Sequence, residues 1–157
     1  MKKEKTKVEF RNHVMPVKSP ILALQGKRWT MTYEDGNDRL HYHNYFEIGF
    51  CIFGQGMMRI GEEEMRFCGG EFTIIPPGFP HSTNSDTDTI SSWEYLVIDM
   101  DKILQEEYDK NSILIEEIKQ KINVKAFMGK NEEEYIILSK RIQEILEIFR
   151  KEEKFYF

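Results

Sequence analysis

Four side chains in this sequence are of types that bind metals or polar ligands. His41 and His43 stand one residue apart in "RLHYHNYFEIGF", and Glu47 follows four residues after the second. His81 ends a later stretch, "GGEFTIIPPGFPH", and brings a third imidazole from a different part of the chain. Three imidazoles and a carboxylate suit Zn, Fe, Mn, Ni or Cu, with positions left for water or substrate. The same groups also suit a hydrogen-bonded cluster lining a pocket for an organic ligand. Buried without partners, hydration or a ligand, they would be costly.

The aromatic residues open a second possibility. Trp93 and Tyr95 share a strand face with Val97 and could stack on a sugar or another ring, although aromatics more often fill cores. Trp29 and Tyr33 carry the same ambiguity. His13 stands alone in a polar N-terminal stretch and reads as a surface histidine. No set of residues builds a nucleophile–base–acid order, so no catalytic residue is assigned. "GQG" and "CGG" lack the strand–glycine–helix setting of a nucleotide site and read as turns.

Positioning these groups requires strands. Residues 39–53, if mostly extended, put His41, His43, Glu47 and Cys51 on one face. Phe46, Ile48, Phe50 and Ile52 then form an apolar opposite face, which must be covered by a second layer, by helices or by another subunit. A bulge between His43 and Glu47 would split the cluster across faces. Other apolar runs, "ILAL", "RWTMTY", "MMRI", "EFTII" and "WEYLVIDM", are bounded by Gly, Pro and polar turns. Many short strands separated this way suggest a sandwich or barrel.

Beyond Asp101 the character changes, and Gly129 is the last Gly or Pro. Ile115, Ile118 and Ile122 recur at helical spacing in residues 112–123. A longer helix is expected from Asn131, a possible cap, to about Glu153. Its residues Tyr135, Leu138, Ile142, Ile145 and Phe149 form a seam, widened by Ile137, Leu146 and Ile148. That seam fits packing on the barrel or a dimer contact. Residues 1–100 are therefore expected to form the barrel, and residues 101–157 a helical appendage.

The bulk numbers narrow the function. The chain has 157 residues, 40% hydrophobic and 31% charged, with a net charge of −5. That charge gives no general pull towards DNA or an anionic membrane. Cys51 and Cys68 read as buried free thiols of a reducing compartment. No apolar window is long enough to span a membrane, and "MKKEKTKVEF" is not a signal peptide. A cytoplasmic protein is expected.

The motifs resemble those of the cupin superfamily. Gly36, His41, His43, Glu47 and Gly54 match its first motif, with one residue fewer between Gly36 and His41 than usual. Gly70, Pro76, Gly78 and His81 match its second, although Ser85 stands where an asparagine is frequent. The resemblance implies an antiparallel jelly-roll barrel. In metal-binding cupins the positions of His41, His43, Glu47 and His81 hold the ion.

The stretch from Gly54 to Ser82 is more closely similar to the N-terminal effector-binding domain of AraC-type transcription regulators, with Glu71 in place of a frequent aspartate. That similarity implies a small-molecule effector, a sugar among the options, held near His41, His43, Glu47, His81, Trp93 and Tyr95. It implies a homodimer through the helices and no required cofactor. It implies DNA contact only through a helix-turn-helix domain that these residues do not contain. The "FYF" ending at Phe157 suggests an excised N-terminal domain. The alternatives are a metal-dependent cupin enzyme, such as a dioxygenase or isomerase, and a stand-alone sugar-binding cupin.

Overall fold

Gly- and Pro-containing turns cut the first hundred residues into short extended runs, and each run that reads as a strand contains one. A computed structural model describes residues 7–32, 38–123, 126–130 and 132–153. Gly36, Tyr33, the Asn131 cap and the terminal "FYF" lie outside the described residues. In chain order the strands are β1 (Glu9–Arg11), β2 (Ile21–Leu24), β3 (Thr30–Thr32), β4 (His41–His43), β5 (Phe46–Phe53) and β6 (Gln55–Ile60). There follow β7 (Glu63–Cys68), β8 (Phe72–Ile75), β9 (His81–Ser85), β10 (Ile90–Ile98), α1 (Met100–Glu107), α2 (Ser112–Ile122), β11 (Phe127–Gly129) and α3 (Glu133–Glu153).

The strands form two sheets. The first has the order β1-β4-β9-β6-β7, and the second β11-β8-β5-β10-β2, with β3 also pairing β10. All pairings are antiparallel except β1 with β4. Cys51, Ile75 and Trp93 from the second sheet pack with Met58, Ile60 and Phe67 from the first, so the sheets face each other across one core. The fold is mainly β, a two-sheet jelly-roll barrel followed by helices.

The outer face of β5 is apolar, and the long helix covers Ile48 and Phe50 at its middle, while Ile52 at its end stays 39% exposed. Phe50, Phe72 and Leu96 pack on Ile142 and Leu146 of α3, with Ile48, Tyr135, Ile145 and Phe149 at the margin. Burying a side chain of this size is worth about 1.5–3 kcal/mol, which makes the seam a docking face for the barrel. The seam is narrower than its spacing suggests. Leu138, Ile137 and Ile148 remain 40%, 59% and 55% exposed. At the edge of the contact, Arg150 Nη2 donates to Glu94 Oε2 at 2.7 Å, and Gln25 Nε2 bridges Glu94 and the Leu146 carbonyl.

The helices begin where capping side chains allow. Asp99 accepts the Lys102 N–H at the start of α1, and Asn111 accepts the Leu114 N–H at the start of α2, each satisfying an otherwise orphaned helix donor. The chain after residue 101 returns to the barrel, because β11 pairs with β8. Both cysteines are free thiols, as expected, but Cys68 is exposed on β7 rather than buried. No described helix is long and apolar enough to cross a membrane.

Candidate functional site

The stretch carrying the first motif is not one strand. It bends at Asn44 and Tyr45, so that β4 belongs to the first sheet and β5 to the second. Asn44 holds the bend: its Oδ1 accepts the His13 N–H at 2.9 Å and its Nδ2 donates to the His13 carbonyl at 3.1 Å. Alternation along a single strand is therefore the wrong reason for the cluster. His41 and His43 look inward from one sheet and Glu47 from the other, and they meet because the sheets face each other.

The second motif joins through its turn. Gly78 has φ of 76° with no atom within 4 Å of where a β-carbon would stand, so glycine is needed there for conformation rather than space. Its N–H donates to the His43 carbonyl at 2.8 Å, tying the β8–β9 turn to β4. Across the sheet, His41 pairs with His81.

The result is a cavity of about 140 Å³ walled by His41, His43, Glu47, His81 and Tyr95. The His41–His81 and His43–His81 ring centroids are 4.4 and 5.2 Å apart. His43 Nε2 lies 3.0 Å from Glu47 Oε2, and His81 Nε2 3.3 Å from Glu47 Oε1. Both contacts are ion pairs when the ring is protonated. The Nε2 atoms of His13, His43 and His81 are buried with no hydrogen-bond partner among the described residues.

The other ring nitrogens are committed. Nδ1 of His41, His43 and His81 lies 2.7, 3.0 and 2.9 Å from the carbonyls of Arg39, Arg11 and Phe79. A carbonyl only accepts, so each Nδ1 carries the proton. A neutral imidazole then leaves its Nε2 lone pair free, as metal-ligating histidines do. His41, His43 and His81 each offer a ligand atom, all within 4.8 Å of one another. The donor set therefore fits a divalent ion, with Glu47 beside it.

Electrostatics follows from burial and proximity. Burial, then the charge of His81, lowers the His41 pKa to about 3, so His41 is neutral near pH 7. Burial alone would raise Glu47, but His43 and His81 override it and hold the carboxyl below its ordinary range. His81 moves the other way: burial would lower it, yet Glu47 raises it above its ordinary value. Burial also pushes the Cys51 thiol up to about 12, which keeps it inert.

Of the two strand aromatics, Tyr95 lines the cavity and Trp93 does not. Trp93 is fully buried behind Tyr95, edge-on to Phe67 at 5.0 Å. Trp29 reaches the cavity and meets Tyr95 edge-on at 5.5 Å. Gly49 makes room for them: a β-carbon there would fall 2.8 Å from Thr73 Oγ1 and 3.1 Å from the Tyr95 ring.

Three wall residues escaped the sequence reading. His13 is not a surface histidine; it is half-buried, and its ring lies 4.4 Å from that of His43. Asp38 adds a second carboxylate, accepting from Arg11 at 3.1 Å and from the Thr83 N–H at 3.0 Å. Arg11, His13 and Asp38 have no local signal. Only the parallel pairing of β1 with β4 would have pointed to the first two.

Comparison with known proteins can now be set beside this geometry. The profile of the AraC-like ligand binding domain matches residues 31–154. No curated protein matches the chain in sequence. Among solved structures, a Cupin 2 conserved barrel domain protein from Salinispora arenicola is 20% identical, with a TM-score of 0.44 over 55% of this chain and 71% of that one. A cupin protein from Bacteroides fragilis is 18% identical, with a TM-score of 0.36 over 50% of this chain and 61% of that one. Oxalate decarboxylase from Bacillus subtilis is 22% identical, with a TM-score of 0.36 over 40% of this chain and only 18% of its own. The profile match takes in both motifs, most of the cavity wall and the helices, and by it this chain belongs to the family of AraC-like ligand-binding domains.

Proposed function

We propose that this domain senses a small polar effector in the cavity of His41, His43, Glu47, His81 and Tyr95, for a transcription regulator that reaches DNA through a domain outside these residues. The observation that carries this reading is the convergence of three buried imidazoles and a buried carboxylate on a walled cavity. Such groups are costly unless something in the cavity satisfies them. At about 140 Å³ the cavity is smaller than the roughly 300–1,000 Å³ of drug-sized sites. That favours a compact hydroxyl- or carboxylate-bearing molecule, such as a monosaccharide or a short hydroxy acid. Trp29 and Tyr95 offer its apolar side a surface.

The exposed Ile137 and Ile148 of α3 favour a homodimer through that helix face. The effector would bias the placement of α3, which rests on β5 and β10, the strands carrying Glu47 and Tyr95. The test is a thermal-shift screen of monosaccharides, sugar acids and short hydroxy acids against wild type, Glu47→Gln and Tyr95→Ala. A compound that stabilises wild type and neither variant supports the reading. Stabilisation that persists in both variants, or none with any compound, sinks it.

A second reading is favoured by the histidine tautomers. Three Nδ1–H groups fixed on carbonyls leave Nε2 lone pairs directed at one region, and this suits a divalent metal held by His41, His43, His81 and Glu47. A bound ion would supply Lewis acidity and a fixed point for an effector hydroxyl or carboxylate. His81 Nε2 would have to be unprotonated to bind the ion, and Tyr95 and Trp29 would keep their role as the apolar wall. A metal-dependent enzyme uses the same donors. Turnover of a compound from the screen by metal-loaded protein would decide for it over sensing.

A further inference from the structure

The N-terminal strand contributes more to the site than a wall. The His43 Nδ1 proton rests on the Arg11 carbonyl, so β1 itself sets the tautomer of a motif histidine. Two residues on, His13 is clamped by both polar atoms of Asn44, the residue at the bend between His43 and Glu47. Its ring lies 4.4 Å from the His43 ring, and its Nε2 is buried without a partner among the described residues. Ligand atoms of His13, His43 and Glu47 lie within 4.8 Å of one another. This second triad shares His43 with the first but draws on neither motif for His13.

We propose that His13 is a further donor of the site: its imidazole coordinates a divalent ion together with His43 and Glu47, in a triad that shares His43 with the triad of His41 and His81. The proposal rests on the divalent-metal reading. It makes the site a joint product of the barrel and the N-terminal strand, and a chain lacking residues 9–13 would hold metal more weakly even with both motifs intact. A surface group or a packing aromatic would not account for a buried Nε2 without a partner among the described residues. The double clamp by Asn44 fixes the backbone at this one residue and so limits where the ring can point.

The experiment is calorimetric titration of Zn(II) into metal-stripped wild type, His13→Gln and His81→Gln. Wild type should take one equivalent, His13→Gln should bind at least about tenfold more weakly, and His81→Gln should lose more. Equal affinity of His13→Gln and wild type, with His81→Gln impaired, overturns the proposal and leaves the metal reading standing. Wild type that takes up no Zn(II) overturns both. If His13→Gln fails to melt cooperatively, the wild type answers alone through long-range ¹H–¹⁵N spectra of its imidazoles. On Zn(II) loading the His13 Nε2 resonance should move with those of His41, His43 and His81. A His13 Nε2 resonance that stays in place while the other three move overturns the proposal.

Discussion

His41 should make the domain acid-labile in a defined window. The residue is 6% exposed and it has a pKa of about 3, against an ordinary 6.5, chiefly through burial and then through the charge of His81. Between those values the unfolded chain binds a proton that the folded one refuses, so the unfolded state gains as pH falls. The contribution of His41 is thus fully present above pH 6.5 and lost on the way down to about pH 3. At 1.36 kcal/mol per pH unit the whole interval is worth at most about 5 kcal/mol, and the stretch from pH 6.5 to 5 about 2 kcal/mol. That is a large share of a typical total of roughly 5–15 kcal/mol.

The neighbouring acid–base groups act in other windows. His81 has a raised pKa, so its contribution is present below 6.5 and lost as pH rises through the folded value. Glu47 has a lowered pKa, so its contribution is present above 4.5 and lost as pH falls through the folded value. His13 is lowered, by burial and then by His43, and drifts in the same direction as His41, but it is present in both proteins compared and cancels. The assay is urea unfolding of wild type and His41→Asn at pH 6.5, 6.0, 5.5 and 5.0, with asparagine keeping a donor for the Arg39 carbonyl. Wild type should lose about 2 kcal/mol more than the variant across this range. A difference that stays constant with pH would refute the assignment of His41 as a neutral, buried imidazole.

Three substitutions test the scaffold around the site. Gly49→Ala should crowd Thr73 and Tyr95, costing about 1–3 kcal/mol and weakening any cavity ligand, as read by the ligand-induced thermal shift. Leu146→Ala removes a fully buried contact between α3 and the second sheet and should cost about 2–5 kcal/mol in urea unfolding. Arg150→Met strips the charged partner from Glu94, whose side chain is 12% exposed. It should cost about 1.5–3 kcal/mol, and combining it with Glu94→Gln should cost less than the sum of the two single changes.

The fold was legible in the sequence because its signals are local. Gly and Pro turns bound each strand, the apolar face of β5 required a cover, and the Ile142–Leu146 stripe supplied one. The motif residues were legible for the same reason: Gly78 and His81 sit in one turn and its following strand. What escaped depends on partners far along the chain. The bend at Asn44 is fixed by hydrogen bonds to His13, thirty-one residues away, and no alternation pattern shows it. His13 and Arg11 look like polar-arm residues until β1 is paired with β4. Trp93 and Tyr95 share a face, yet two residues along a strand separate a core aromatic from a cavity wall.

The chain has four histidines, and all four line the one cavity. Its ¹H–¹³C imidazole spectrum therefore reports on that cavity and nowhere else. The most direct test of ligand sensing at this site is to record that spectrum while titrating in the compound that stabilises the protein most in the thermal-shift screen. The resonances of His41, His43, His81 and His13 are expected to shift together and to saturate at one equivalent. A compound that saturates the thermal shift while all four resonances stay in place binds elsewhere, and that result would contradict the assignment of this cavity as the effector site.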